Sequence, residues 1–252
     1  MKKLLLLLFV FPFLSSKCED DPKPPTNVCE GVLNMNFKPT INNQPFVSNK
    51  VFLINGKKVR FSKFQFYASA IPIIEVGSTP NCNDDNNIIF VDLTALDDSV
   101  KSLNGATATF LKTSVGNFQS ISVGLGLGLV LNNKIPSDFP TTNPLSKTEE
   151  YWSSWKSYIF FKLEGLMDKD GDGTFETGIT YHTGSNDAIA SKKFTKNIEI
   201  TSKGATLNFD LDMNKLLTGF DFSTLNKIEN LTQKEDMKKL MMNLSTALTI
   251  KQ

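Results

Sequence analysis

Three groups of residues in this chain have types and spacings that could do chemistry. The first is Asp168-Lys169-Asp170-Gly171-Asp172-Gly173-Thr174-Phe175-Glu176. Carboxylates at alternate positions, with a glycine at the sixth, can wrap a hard cation in oxygen ligands. Asp168, Asp170 and Asp172 would supply side chains to calcium, Thr174 a backbone carbonyl and Glu176 a further carboxylate. The twelfth position falls on Ile179, where a helix–loop–helix calcium site carries Glu, and the flanks read as strands. The same residues therefore also read as a solvated Asp/Gly hairpin loop.

The second group is Tyr151-Trp152-Ser153-Ser154-Trp155 with Tyr158, which holds both tryptophans of the chain. Large aromatics bury much area, so their type alone points to core packing. The third is His182 in Tyr181-His182-Thr183-Gly184, the only imidazole in the sequence. A lone histidine is a hydrogen-bonded structural residue or one ligand of a metal site. Its solitude excludes a site of several imidazoles, and a Ser/His/Asp set unless His182 is the base. No Ser or Cys motif stands beside a partner at a recognisable spacing, so the chain reads as a non-enzyme with no catalytic residue.

The elements that would carry these groups alternate with period two. Leu33, Met35 and Phe37 alternate with polar residues, as do Ile89, Val91 and Leu93. Val51 to Ile54, Asn55-Gly56 and Lys57 to Phe61 read as a hairpin on a favoured turn dipeptide. Val59 and Phe61 share one parity, Phe64 and Phe66 the other, so a bulge or bend is expected at Ser62-Lys63. Ile121, Val123, Leu125, Leu127 and Leu129 alternate with Gly124, Gly126 and Gly128, which predicts a strand with a bare face for close packing. Those glycines lack the spacing of a phosphate loop. Tyr158 to Leu163 is apolar on both faces except at Lys162, as in a central strand. Phe194, Ile198 and Ile200, then Leu207, Phe209 and Leu211, complete the set. Short alternating runs between Asn, Gly and Pro turns predict an all-β, antiparallel β-sandwich. A short C-terminal helix is expected after a Thr232–Glu235 capping box, with Met237, Leu240, Met241, Leu244 and Leu248 on its buried stripe.

The N-terminus reads as an export signal. Met1-Lys2-Lys3 is a positive start, and Leu4 to Leu14 is an apolar run too short to span a bilayer. Cys18 follows where a bacterial lipoprotein carries its lipid, although Lys17 before it is atypical of such sites. Residues 1–17 are then a signal peptide, 18–30 a Pro-rich tether and 31–252 one folded domain. Lipidation of Cys18 would anchor the protein to the outer membrane, facing the periplasm or the surface, without spanning it. Removal of the signal takes away three lysines and lowers the net charge from +1 to −2. With 27 basic residues against 26 acidic ones, the chain lacks the basic face a nucleic-acid binder needs. Cys29 and Cys82 remain, as a disulfide in an oxidising compartment or as two separate thiols.

Asn143-Pro144-Leu145, Tyr151-Trp152-Ser153-Ser154-Trp155, Tyr158 to Phe161, Glu164-Gly165 and Tyr181-His182-Thr183-Gly184 come in an order and spacing that resembles the MbnP-like family. Phe66-Tyr67-Ala68-Ser69-Ala70-Ile71 resembles a short strand of the same family. The resemblance implies an exported, often lipid-anchored β protein associated with uptake of copper-chelating peptides. It further implies copper as cofactor, His182 as a ligand and Trp152 or Trp155 as a residue oxidised to kynurenine. The implied partners are a di-haem peroxidase-like enzyme that performs the oxidation, or an outer-membrane receptor. Asn143 stands where many members have His before Pro-Leu. Two classes of function follow: a copper-binding or copper-handling envelope lipoprotein, and a non-catalytic cell-surface interaction or adhesion module stabilised by calcium.

Overall fold

The computed structural model describes residues 29–73, 82 and 88–251. The expected signal peptide, Cys18 and residues 18–28 of the tether lie outside the described residues.

Two sheets face each other. The first contains β1 (Gly31–Ile41), β2 (Gln44–Pro45), β6 (Ala106–Thr113), β12 (Ala205–Asp212) and β14 (Leu248–Ile250). The second is built on β4 (Lys57–Ile73), a long strand flanked by β3 (Val51–Ile54) and β5 (Ile88–Asp92) on one side. On its other side β4 pairs with β7 (Gly116–Leu125) and β9 (Ser157–Asp168). The sheet continues to β11 (Ala190–Ile200) beyond β7, and to β10 (Thr177–Gly184) and β13 (Lys227–Ile228) beyond β9. A two-residue strand, β8 (Tyr151–Trp152), folds back on the start of β9.

The chain is mostly β, as its alternation predicts, and the sheets are mixed. β1 and β12 run parallel with Phe37 opposite Phe209, and β10 and β13 are also parallel. Parallel neighbours need a long connection; here all of the second sheet except β13 lies in sequence between β1 and β12. Phe37 meets Phe66 edge-on at 5.4 Å across the core, and Phe194 meets Phe209 at 5.3 Å. The hairpin at Asn55-Gly56 has both residues at positive φ, 50° and 77°. The register of β4 against β9 slips between Phe61 and Lys63, at the expected bulge.

Helix α4 (Lys234–Ala247) buries Met237, Leu240, Met241 and Leu244. Its cap lies two residues earlier than the sequence suggests: Asn230 and Gln233 form the box around a 3₁₀ turn at Leu231–Gln233. Leu248 ends the helix and starts β14. Three shorter helices are α1 (Ser99–Asn104), capped by Asp98, α2 (Leu129–Asn132) and α3 (Met213–Leu216). α2 corrects the long alternating strand: β7 stops at Leu125, Gly126 takes φ 87°, and Leu129 is exposed on the helix. The glycines serve close approach only in part, Gly124 against Ser69 and Gly126 against the Phe160 ring, whereas a side chain at Gly128 would meet open space.

Candidate functional site

The outer face of β9 and β10 is where the chemical residues meet. A segment running from Pro136 to Lys156 crosses it as a strap, through 3₁₀ turns at Pro144–Ser146 and Thr148–Glu150 and then β8. Apolar residues on both faces of β9 follow from this, since the strap covers the side turned from the core. Tyr158 and Tyr67 donate to the strap carbonyls of Leu145 and Pro144, at 2.8 Å and 3.1 Å.

His182 sits on β10 between Tyr181 and Thr183, both turned into the core, so its ring faces the strap. Glu164 on β9 pairs with Thr180 and is diagonal to His182 on that face. Its carboxylate lies 2.9 Å from His182 Nε2 and 3.6 Å from Lys63 Nζ on β4. The hydrogen bond to His182 holds the Glu164 carboxyl below its ordinary value, with Lys63 adding to the effect and burial opposing it. His182 Nδ1 is buried and has no hydrogen-bond partner among the described residues.

Trp152 stands edge-on to His182, centroids 6.0 Å apart, and stacks on Trp155 at 4.4 Å and 22°. Both tryptophans are half-buried on the outer face. The expectation of core packing is met in part: Trp155 packs partly buried against the core and Trp152 does not, and the short β8–β9 turn holds the pair above the sheet. Gly184 allows the arrangement. A Cβ there would fall 2.9 Å from the Trp155 ring and 2.7 Å from the Tyr158 carbonyl. Gly165 has a comparable role beneath Glu164, since a Cβ would collide with the Arg60 carbonyl at the β4 bulge. The Trp-x-x-Trp, Glu-Gly and Tyr-His-Thr-Gly segments are thus one constellation.

Asn143 is not part of it. Its side chain caps Leu145 N at 2.8 Å, against Phe90 of β5. β4 and β9 intervene before β10, so Asn143 stands about 14 Å from His182 by strand spacing. Lys162 and Glu150 belong to the constellation although sequence reasoning gave neither a role. They form an ion pair at 2.8 Å with side chains 7% and 4% exposed. The available signal was Lys162, the single charge in the apolar run from Tyr158 to Leu163.

The Asp-rich loop occupies the opposite end of the β9–β10 hairpin, about 17 Å from His182 at strand rise. Asp168 is buried and accepts from Gly171 N at 2.7 Å and Gly173 N at 3.0 Å, with Lys58 at 3.8 Å. Asp170, Asp172 and Glu176 accept from the N–H groups of Asp172, Thr174 and Lys169. One oxygen from each of Asp168, Asp170, Asp172 and Glu176 lies within 4.8 Å of the others. Thr174 is exposed and enters this network through its N–H. Elsewhere, Cys29 and Cys82 are joined in a disulfide with Cα atoms 5.6 Å apart.

The MbnP family model matches residues 30–236. The chain belongs to the MbnP family. No curated protein and no solved structure matches it. The match runs from the residue before β1 to the first turn of α4, so strap, both tryptophans, His182 and the Asp-rich loop all lie inside the MbnP domain.

Proposed function

We propose that this MbnP protein is an exported, lipid-anchored metal-handling protein of the cell envelope and not an enzyme, with copper held at His182 and Glu164 beneath Trp152. The observation that carries this is His182 itself: one nitrogen beside a carboxylate, the other buried without a partner, next to the stacked tryptophans. The donor set decides the form of copper. Copper(I) favours sulfur and multiple imidazoles, whereas this chain offers one imidazole and ties Cys29 and Cys82 together. Imidazole plus carboxylate suits copper(II), at modest affinity. Trp152, rather than the more deeply packed Trp155, is the ring that faces His182, so it is the candidate for oxidation to kynurenine by a di-haem peroxidase-like partner. Copper(II) titration followed by electron paramagnetic resonance tests the site. One bound ion with nitrogen coupling is expected, and its loss in His182→Ala. Binding that persists unchanged in that variant removes copper from this site. Mass spectrometry of the peptide carrying Trp152 and Trp155, from protein made in its native host, tests the oxidation.

A second role rests on the Asp-rich loop, as the calcium-stabilised part of a surface interaction module. The four converging carboxylates favour it. Calcium should raise the melting temperature and EDTA reverse it, with Asp170→Asn/Asp172→Asn insensitive to both. A melting temperature indifferent to calcium rules it out.

A further inference from the structure

Lys162 lies mid-strand on β9, covered on both faces, with Gln65 on β4 and His182 on β10 as its register partners. Its ammonium is 2.8 Å from the Glu150 carboxylate and donates to the Glu149 carbonyl at 2.8 Å. These acceptors belong to the two residues immediately before Tyr151-Trp152. Gln65 Oε1 and His182 Nδ1, on either side of Lys162 in the same cross-strand row, are buried without a partner among the described residues. The strap is therefore laid over a polar row.

Stability does not explain this arrangement. Removing two charges from water offsets most of their attraction, and an apolar pair of similar volume is often as stable or more so. A buried charge does something an apolar pair cannot: it accepts only one register of the segment facing it. An ammonium at Lys162 requires two acceptors overhead, here the Glu150 side chain and the Glu149 carbonyl. That requirement fixes where Trp152, two residues after Glu150, comes to rest.

We propose that the Lys162–Glu150 pair is the positioning device that seats Trp152 over His182. It deepens the assignment of His182 and Trp152 as the site. Its readouts are ring geometry and not metal, so it can fail while copper binding stands, and the reverse.

The experiment compares Lys162→Met, Glu150→Met/Lys162→Met and Glu150→Gln with the parent protein. The two tryptophans are the only ones in the chain, so their stacking gives an assignable exciton couplet in circular dichroism, and the single histidine gives one ring-current-shifted resonance. Lys162→Met should lose the histidine shift, while the couplet, set within the β8–β9 turn, persists and shows that the turn is intact. The double variant should melt at or above the parent temperature and still lose the histidine shift. Glu150→Gln, which keeps an acceptor for the ammonium, should keep it. A parent-like histidine shift in the folded single or double variant overturns the proposal. Failure of both to fold also overturns it, because the pair would then serve the whole fold and not the placement of one segment.

Discussion

At the scale of single residues, the site depends on what is missing from a side chain as much as on what is present. Gly184 is the clearest case. Its bare Cα is the surface on which Trp155 lies, and Trp155 in turn supports Trp152. Gly184→Ala should push the indole outward. Overpacking of this kind costs about 1–3 kcal/mol, measured by urea unfolding, and the tryptophan emission should shift to the red. An unshifted emission would mean that Trp155 does not rest on β10. His182 and the tryptophans were visible in the sequence as types and spacings, and Glu164 only as part of the segment that resembles the family. Lys162 and Glu150 were not, because a strand periodicity records a charged residue as an exception and does not reveal its partner. The family resemblance placed Asn143 where many members have His, but its side chain caps Leu145 N. Sheet order separates β5 from β10, and order is set by pairings that no local pattern encodes.

At the scale of elements, the strap and β9 form one unit joined by polar anchors. Alternation in the sequence identified the strands, and the parity change at Ser62-Lys63 identified a bulge. It could not stop β7 at Leu125, since Leu127 and Leu129 keep the same period while the chain turns at Gly126 into α2. The irregular strap carries no period at all, so its path was illegible. Its anchors make a prediction about alkaline pH. Burial first, and nearby acidic or phenolic groups second, push the hydroxyls of Tyr67, Tyr158 and Tyr181 well above the ordinary tyrosine value. Tyr67 and Tyr158 hold the strap, and Tyr181 donates to Leu225 O at 2.5 Å. A phenol whose folded value is raised keeps its proton when the unfolded chain has lost it, so the folded state binds more protons above about pH 10. Stability should then fall with rising pH by about 1.4 kcal/mol per unit for each such group. Tyrosinate absorbance should show these three ionising only together with unfolding. Ionisation of all the tyrosines ahead of unfolding would contradict the buried anchors.

At the scale of the whole molecule, two mixed sheets must be held face to face while the chain crosses repeatedly from one to the other. The aromatic core does much of this, and α4 packs across β10, β11 and β12. The disulfide is the only covalent side-chain cross-link among the described residues. Cys29 precedes β1 of the first sheet, and Cys82 lies between β4 and β5 of the second. The sequence left the pairing open because spacing carries no geometry. The loop it closes spans 53 residues, which bears on the unfolded chain more than on the native one. Loop-closure entropy for that length is about 4 kcal/mol, an upper figure because unfolded chains retain some structure. Cys29→Ala/Cys82→Ala should therefore lose up to about 4 kcal/mol in reversible urea unfolding. The native circular dichroism, including the tryptophan couplet, should be unchanged, because the bridge lies beside β5 whereas the tryptophans sit over β9 and β10. The same bond ties stability to compartment. If the chain is exported, thiol trapping of protein from the native envelope should find both cysteines blocked, and protein retained in a reducing cytosol should unfold at the urea midpoint of the double alanine variant. Equal midpoints for oxidised and reduced protein would show that the two sheets are held together by packing alone.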